Sequence, residues 1–215
     1  MKGNFERPNI RAMKGYVPGE QPGDQSVIKL NTNENPYPPS PAVFRSLAEF
    51  DPAKLRRYPS PSALTFREAA ARHHDVSAEE IIATRGGDEL LRLVLTTFVD
   101  PGEKVAVASP AYSLYPVLTA IQDGRLEEIE LNDEWLPDDR FAEKANERGC
   151  KVAFIVNPHA PSGTLVSQSF IKTFATTFNG LLVIDEAYVD FVLDATHDLT
   201  QFAVEAPNVL LLRTL

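Results

Sequence analysis

Four short stretches of the chain carry residue types that could do chemistry together. Arg85-Gly86-Gly87-Asp88-Glu89 opens what reads as a helix. Two glycines there let backbone N–H groups approach an anion, and the helix dipole favours a phosphate at that end. Pro110-Ala111-Tyr112-Ser113-Leu114-Tyr115 offers aromatic rings, one of which could stack on a planar ligand. Asn157-Pro158-His159-Ala160-Pro161-Ser162-Gly163 is a dense turn sequence with polar side chains. Asp185, at the end of the apolar run Leu181–Ile184, is a carboxylate that is costly to bury unless paired. Each has a plain reading of its own: a tight turn, core packing, a loop, and a carboxylate answered by a structural arginine. Together they amount to an anion cradle, an aromatic plate, a polar loop and a buried negative charge. That set suits a phosphorylated, planar, cationic heterocycle.

The elements that must position these groups follow from hydrophobic patterning. Helices are expected over 62–74 (with Ser62 as N-cap), 88–98, 112–122 (its first turn perturbed by Pro116), 140–149 and 167–178. Strands are expected over 81–84, 104–109, 126–131, 151–156, 181–185 and 208–215, with 126–131 alternating as an edge or half-buried strand would. Residues 1–26 read as an arm, and 27–41 as a short extended run ending in a Pro-rich loop. Apolar strands alternating with helices predict an α/β fold, a mainly parallel sheet covered on both faces. All four stretches then fall just beyond strand ends, where open α/β sheets bind ligands.

Composition narrows the function classes. The 215 residues are 43% hydrophobic and 24% charged, the balance of a globular chain. A net charge of −9 argues against sequence-independent nucleic-acid binding. No apolar run approaches a membrane span, and the polar N-terminus does not resemble a signal peptide, so the expected compartment is the cytoplasm. One cysteine, Cys150, rules out an intramolecular disulfide and a cysteine-based zinc site. His73, His74, His159 and His197 show no metal-ligand spacing, and His73-His74 is expected on a solvated helix end. No G-x-G-x-x-G follows a strand, which sets aside a dinucleotide-binding domain.

The segments LNTNENPYPPSP (30–41), RRYPSP (56–61), RGGDEL (85–90), SPAYSLY (109–115), NPHAPSG (157–163), VIDEAYVDF (183–191) and LLLRTL (210–215) occur in order and at characteristic spacing. In them the chain resembles the class II aminotransferases of fold type I that use pyridoxal 5′-phosphate (PLP), and specifically the histidinol-phosphate aminotransferase group. The resemblance implies a PLP-dependent transferase fold, incomplete here. Residues 1–55 would form an arm and part of the small domain, and 56–215 the N-terminal part of the large PLP-binding domain. It implies that Gly86, Gly87 and Asp88 hold the cofactor phosphate, that Tyr112 stacks on the pyridine ring, and that Asp185 pairs with the protonated ring nitrogen. Tyr188 would hydrogen-bond the ring's 3-oxygen, and Thr214 would lie near the phosphate. Tyr58 would reach the cofactor of a neighbouring subunit, which implies a homodimer. Asn157 and His159 are further candidates for the cofactor. The activity implied is amino transfer between L-histidinol phosphate, or a related or aromatic amino donor, and 2-oxoglutarate, as in histidine biosynthesis. Tyr37 and the arm are candidates for the substrate pocket.

Two departures from the family pattern stand out. Where the family places an asparagine before Pro-Thr-Gly or Pro-Ser-Gly, this chain has Ala160, leaving Tyr188 alone or His159 to serve the 3-oxygen. The sequence also stops at Leu215, just before the position of the family's Schiff-base lysine, and none of its eight lysines (2, 14, 29, 54, 104, 144, 151 and 172) fits that place. The expectation is therefore a truncated chain, inactive by itself. Two other readings are a threonine-phosphate decarboxylase-like enzyme with the same cofactor motifs, and a catalytically inactive binding or dimerisation module.

Overall fold

The structure, a computed structural model, describes residues 5–16, 19–23, 26–194 and 196–214. In chain order the helices are α1 (Pro8–Ala12), α2 (Pro41–Ala48), α3 (Leu64–His74), α4 (Gly87–Phe98), α5 (Leu114–Ile121), α6 (Phe141–Glu147), α7 (Gln168–Thr177) and α8 (Thr200–Glu205). The strands are β1 (Lys104–Ser109), β2 (Arg125–Glu130), β3 (Cys150–Val156), β4 (Leu181–Asp185) and β5 (Val209–Leu212). They form one sheet in the order β2-β1-β3-β4-β5, and every pairing is parallel. Among the described residues no helix is long and apolar enough to cross a membrane.

The sheet is apolar on both faces because a parallel sheet must be covered twice. Along β1, Ala106 and Ala108 turn to one side and Val105 and Val107 to the other. The first side is packed by Phe141 and Ala145 of α6 and by Ile171 and Phe174 of α7. The second is packed by Leu91, Val94 and Leu95 of α4 and by Leu114, Tyr115 and Leu118 of α5. Alternation along β4 puts Val183 and Asp185 on the α4–α5 side, and Ile184 on the α6–α7 side. The α/β architecture expected from the sequence is the one observed.

Several local expectations are corrected. Residues 81–84 join no strand; they follow a 3₁₀ turn (Ala78–Glu80) held by a Ser77–Glu80 capping box, and Ile82 is 68% exposed. Two isoleucines in succession gave the apolar signal, but neither covers a sheet face. Ser62 does not cap α3; Ser60 Oγ accepts the Leu64 N–H at 3.3 Å. The helix α2 begins at Pro41, the last residue of the expected loop, and runs through residues for which no element was expected. The last strand is shorter than 208–215, and Leu215 lies outside the described residues.

The chain divides into two compact units, one of Met1–Gly15 with Thr65–Leu215, the other of Tyr16–Leu64. The start of the arm belongs with the sheet because Asn9 Nδ2 donates to the Ala120 carbonyl at 2.9 Å, beside α5. In the second unit, α2 and the turn Pro52–Arg56 contain no buried residue.

Candidate active site

Asp185 ends β4, and the fold buries it: 6% of its surface is exposed. Its Oδ2 accepts the Tyr115 hydroxyl at 2.7 Å, and its Oδ1 accepts the Ala187 N–H at 3.1 Å. Burial pushes its carboxyl up from the ordinary range; the two hydrogen bonds oppose that shift, and the Asp88 charge adds to it. Tyr115 is pushed well above the usual phenol range, first by burial and then by the Asp185 charge. Among the described residues no cationic side chain forms an ion pair with Asp185. A buried carboxylate held only by neutral donors is costly unless a ligand cation completes it.

The aromatic plate stands beside it. Tyr112, half-buried just before α5, meets the Tyr115 ring edge-on at 6.0 Å. Tyr115 in turn stacks on Phe154 of β3 at 4.8 Å. Pro116 falls in the first turn of α5, where a missing N–H costs nothing.

The anion cradle is built by α4. Its N-cap, Gly86, has φ 93° and ψ 167°, a conformation open essentially to glycine alone, and no side chain caps the helix. A helix leaves its first N–H groups without a partner inside it, so those of Gly87 and Asp88 are placed to donate to an incoming acceptor. Gly87 also lets the helix end close on β5: a Cβ there would lie 3.2 Å from Leu212 Cδ2 and 3.6 Å from Thr214 Cγ2. Thr214 is thus beside the cradle, exposed, with its hydroxyl donating to the Ala187 carbonyl at 3.2 Å. Tyr188 is half-buried, three residues past Asp185, in a turn closed by the Val189 N–H on the Glu186 carbonyl at 3.1 Å.

Asn157 and His159 use their polar atoms within the protein. Asn157 is fully buried; its Oδ1 accepts the Val166 N–H at 2.7 Å and its Nδ2 lies 3.3 Å from His197 Nε2. His159 Nε2 contacts the Pro110 carbonyl at 2.8 Å and Nδ1 contacts Ser162 Oγ at 2.8 Å. The first contact requires an N–H at Nε2, and the second engages Nδ1 with the Ser162 hydroxyl. Neither ring nitrogen is left to replace the side chain missing at Ala160. Tyr58 belongs to the unit Tyr16–Leu64 and is fully exposed.

Sequence reasoning missed the bracket behind the strand ends. Glu186 is 1% exposed, and Arg213 reaches its Oε2 from Nε at 2.9 Å and from a terminal nitrogen at 2.8 Å. His197 Nε2 is 3.2 Å from Glu186 Oε1; as an N–H it donates there, and as a bare nitrogen it accepts from Asn157. Arg213 also meets Asp198 at 3.3 Å and His74 Nδ1 at 3.2 Å. His74 is therefore not simply solvated: its imidazolium is disfavoured, first by burial and then by Arg213. The signal was alternation, since residues next to Asp185 and Thr214 must face the other way. Tyr115 was also missed as a partner of Asp185, although its spacing from Tyr112 puts both at one helix start.

The family model for aminotransferase class I and II matches residues 25–215. Histidinol-phosphate aminotransferase 1 of Trichormus variabilis is 45% identical over 215 residues, which are 99% of this chain and 59% of that protein. Histidinol-phosphate aminotransferase of Rhodopirellula baltica is 41% identical over 210 residues, 97% of this chain and 57% of that protein. The chain thus spans less than two thirds of the length of these relatives. The crystal structure of histidinol-phosphate aminotransferase from Sinorhizobium meliloti in complex with pyridoxal-5′-phosphate superposes with a TM-score of 0.79 at 24% identity, covering 85% of this chain and 50% of that one. A tetra mutant of Thermus thermophilus aspartate aminotransferase gives 0.81 at 22% identity, covering 99% and 58%. At such identities the superpositions speak for the fold alone.

Proposed function

The chain belongs to the class I and II aminotransferase family and has its fold type I architecture, and from that premise we propose that it is the cofactor-binding portion of a PLP-dependent histidinol-phosphate aminotransferase. The observation that carries this reading is the buried Asp185 carboxylate, held by two neutral donors and paired with no cation among the described residues. A protonated pyridine nitrogen is the cation such a group would take. A carboxylate about 4 Å from a unit positive charge gains roughly 4 kcal/mol at an effective dielectric near 20.

The residues present fit PLP. The uncapped N-terminus of α4, at Gly86, Gly87 and Asp88, would hold the phosphate through backbone N–H groups, with Thr214 alongside. Tyr112 would stack on the ring. Asp185 would keep the proton on the ring nitrogen, and Tyr188 would donate to the 3-oxygen. The bound cofactor supplies an electron sink for amino-group chemistry. What this chain contributes is a fixed phosphate anchor, a flat apolar wall and a carboxylate kept out of water.

The donor and acceptor, L-histidinol phosphate and 2-oxoglutarate, are inferred from the names of the curated relatives. In this reading residues 56–215 belong to the large domain, and residues 1–55 to the arm and part of the small domain. A homodimer is part of the same proposal, and the full exposure of Tyr58 suits a side chain that serves a neighbouring subunit. The compartment is the cytoplasm, where buried Cys150, its thiol pushed up to about 11 by burial, stays a reduced packing residue.

The test is made on the full-length protein. PLP retention is measured by absorbance after dialysis, and glutamate formation is followed with L-histidinol phosphate and 2-oxoglutarate. Retention and glutamate release are expected. No retention overturns the reading; retention with release only from another donor overturns the donor.

A further inference from the structure

Asp185 does not set its own direction. Its Oδ2 is fixed by the Tyr115 hydroxyl at 2.7 Å, and Tyr115 is itself held on three sides. Its ring stacks on Phe154 of the central strand β3 at 4.8 Å with a 25° tilt. The Tyr112 ring abuts it at 86°. Its carbonyl accepts the Thr119 hydroxyl at 2.8 Å. With 1% of its surface exposed, Tyr115 has no room to swing away.

A phenol donating to a carboxylate favours the ionised form, against the burial that favours the neutral one. It also takes up one side of Oδ2, while the Ala187 N–H takes up one side of Oδ1. Only the remaining lone pairs are left for a ligand N–H, so the direction of approach is set before any ligand arrives. Tyr112 and Tyr115 lie three residues apart at the start of α5, so the wall for the ring and the clamp on the carboxylate are one rigid piece.

We propose that Tyr115 is a positioning residue, whose hydroxyl keeps Asp185 ionised and aimed for the ring nitrogen of a bound pyridinium cofactor. The proposal rests on the PLP reading for its ligand, but the coupling between the two side chains can be tested without it.

In the full-length protein, Tyr115→Phe keeps the stack on Phe154 and removes only the donor. The Asp185 carboxyl is titrated by ¹³C NMR in cofactor-free protein, and PLP affinity is measured by equilibrium dialysis in the wild type, Tyr115→Phe, Asp185→Asn and the double variant. The expected results are a higher Asp185 midpoint in Tyr115→Phe and PLP affinity reduced about tenfold or more. That loss should largely vanish in the Asp185→Asn background, whereas a packing defect would add to it. An unchanged Asp185 midpoint, or strictly additive losses, overturns the proposal. If the wild type binds no PLP, the functional reading falls and the titration still decides the role of Tyr115. Should Tyr115→Phe not fold, wild-type protein labelled at tyrosine Cζ replaces it: the Tyr115 resonance must move as Asp185 titrates, and a flat resonance overturns the coupling.

Discussion

Arg213 closes on Glu186 at 2.8 Å, on the face of the sheet turned away from Asp185. The two sides of the strand ends therefore carry different electrostatics. Among the described residues, the buried carboxylate toward α4 and α5 has only neutral donors, while the one on the other side has an arginine and a histidine. The arginine that would have been the ordinary structural partner of Asp185 is thus committed to its neighbour in sequence.

That commitment makes Arg213 a stability residue. Arg213→Met strands the fully buried Glu186 charge with His197 alone, and breaking a buried pair from one side costs about 3–5 kcal/mol. Glu186→Leu with Arg213→Met should recover most of the loss. Urea unfolding of the single and double variants checks both statements.

Asp185 itself works against folding. Its carboxyl is raised in the folded protein, so the unfolded chain ionises first, and above the folded midpoint the native state carries a buried charge. As pH falls from that midpoint through the ordinary carboxyl range near about 4, the penalty disappears. Asp185→Asn should therefore raise the melting temperature of cofactor-free protein at pH 8, by an amount that shrinks toward pH 4, while weakening PLP retention. Thermal scans across pH test it; a variant less stable at every pH would contradict it.

Gly86 and Gly87 should part company when replaced by alanine. Gly86→Ala forces a side chain into φ 93°, at about 1–3 kcal/mol. Gly87→Ala needs no unusual φ and asks only that the buried Leu212 side chain, 3.2 Å from the new Cβ, give by a few tenths of an ångström, a smaller cost. Denaturation midpoints of the two variants should rank in that order.

Ala160→Asn would restore an amide near the cofactor's 3-oxygen. Since a donor favours the anionic form of the oxygen it faces, the pH at which the bound cofactor changes absorbance should fall. His159→Gln should leave that pH where it is, because both ring nitrogens of His159 already serve Pro110 and Ser162. Absorbance titration of the two full-length variants distinguishes them.

What could be read in the sequence depended on range. β4 matches its expected span, Leu181–Asp185, because a short buried strand advertises itself by an unbroken apolar run. The start of α4 was equally legible as a helix opening, since Gly86-Gly87 followed by Asp88 and Glu89 suits a first turn. The Ile81-Ile82 pair misled because two apolar residues do not reveal what covers them. Local patterning places Tyr115 and Arg213 without naming their partners, which lie 70 and 27 positions away: the packing of α5 on the sheet brings Tyr115 to Asp185, and the parallel β4–β5 pairing brings Arg213 to Glu186.

The sheet's β2 edge has a consequence for how the molecule behaves in company. An outer strand normally offers a row of free carbonyl and amide groups to any passing chain. Here Arg148 reaches round from the end of α6 to take the Glu128 carbonyl at 3.0 Å, while also bridging Glu127 at 3.4 Å. The strand carries three glutamates, Glu127, Glu128 and Glu130, within six residues. A foreign strand would have to displace an arginine and lie against that acidic row, so growth of the sheet by addition at this border is blocked by residues that take no part in the chemistry at its centre.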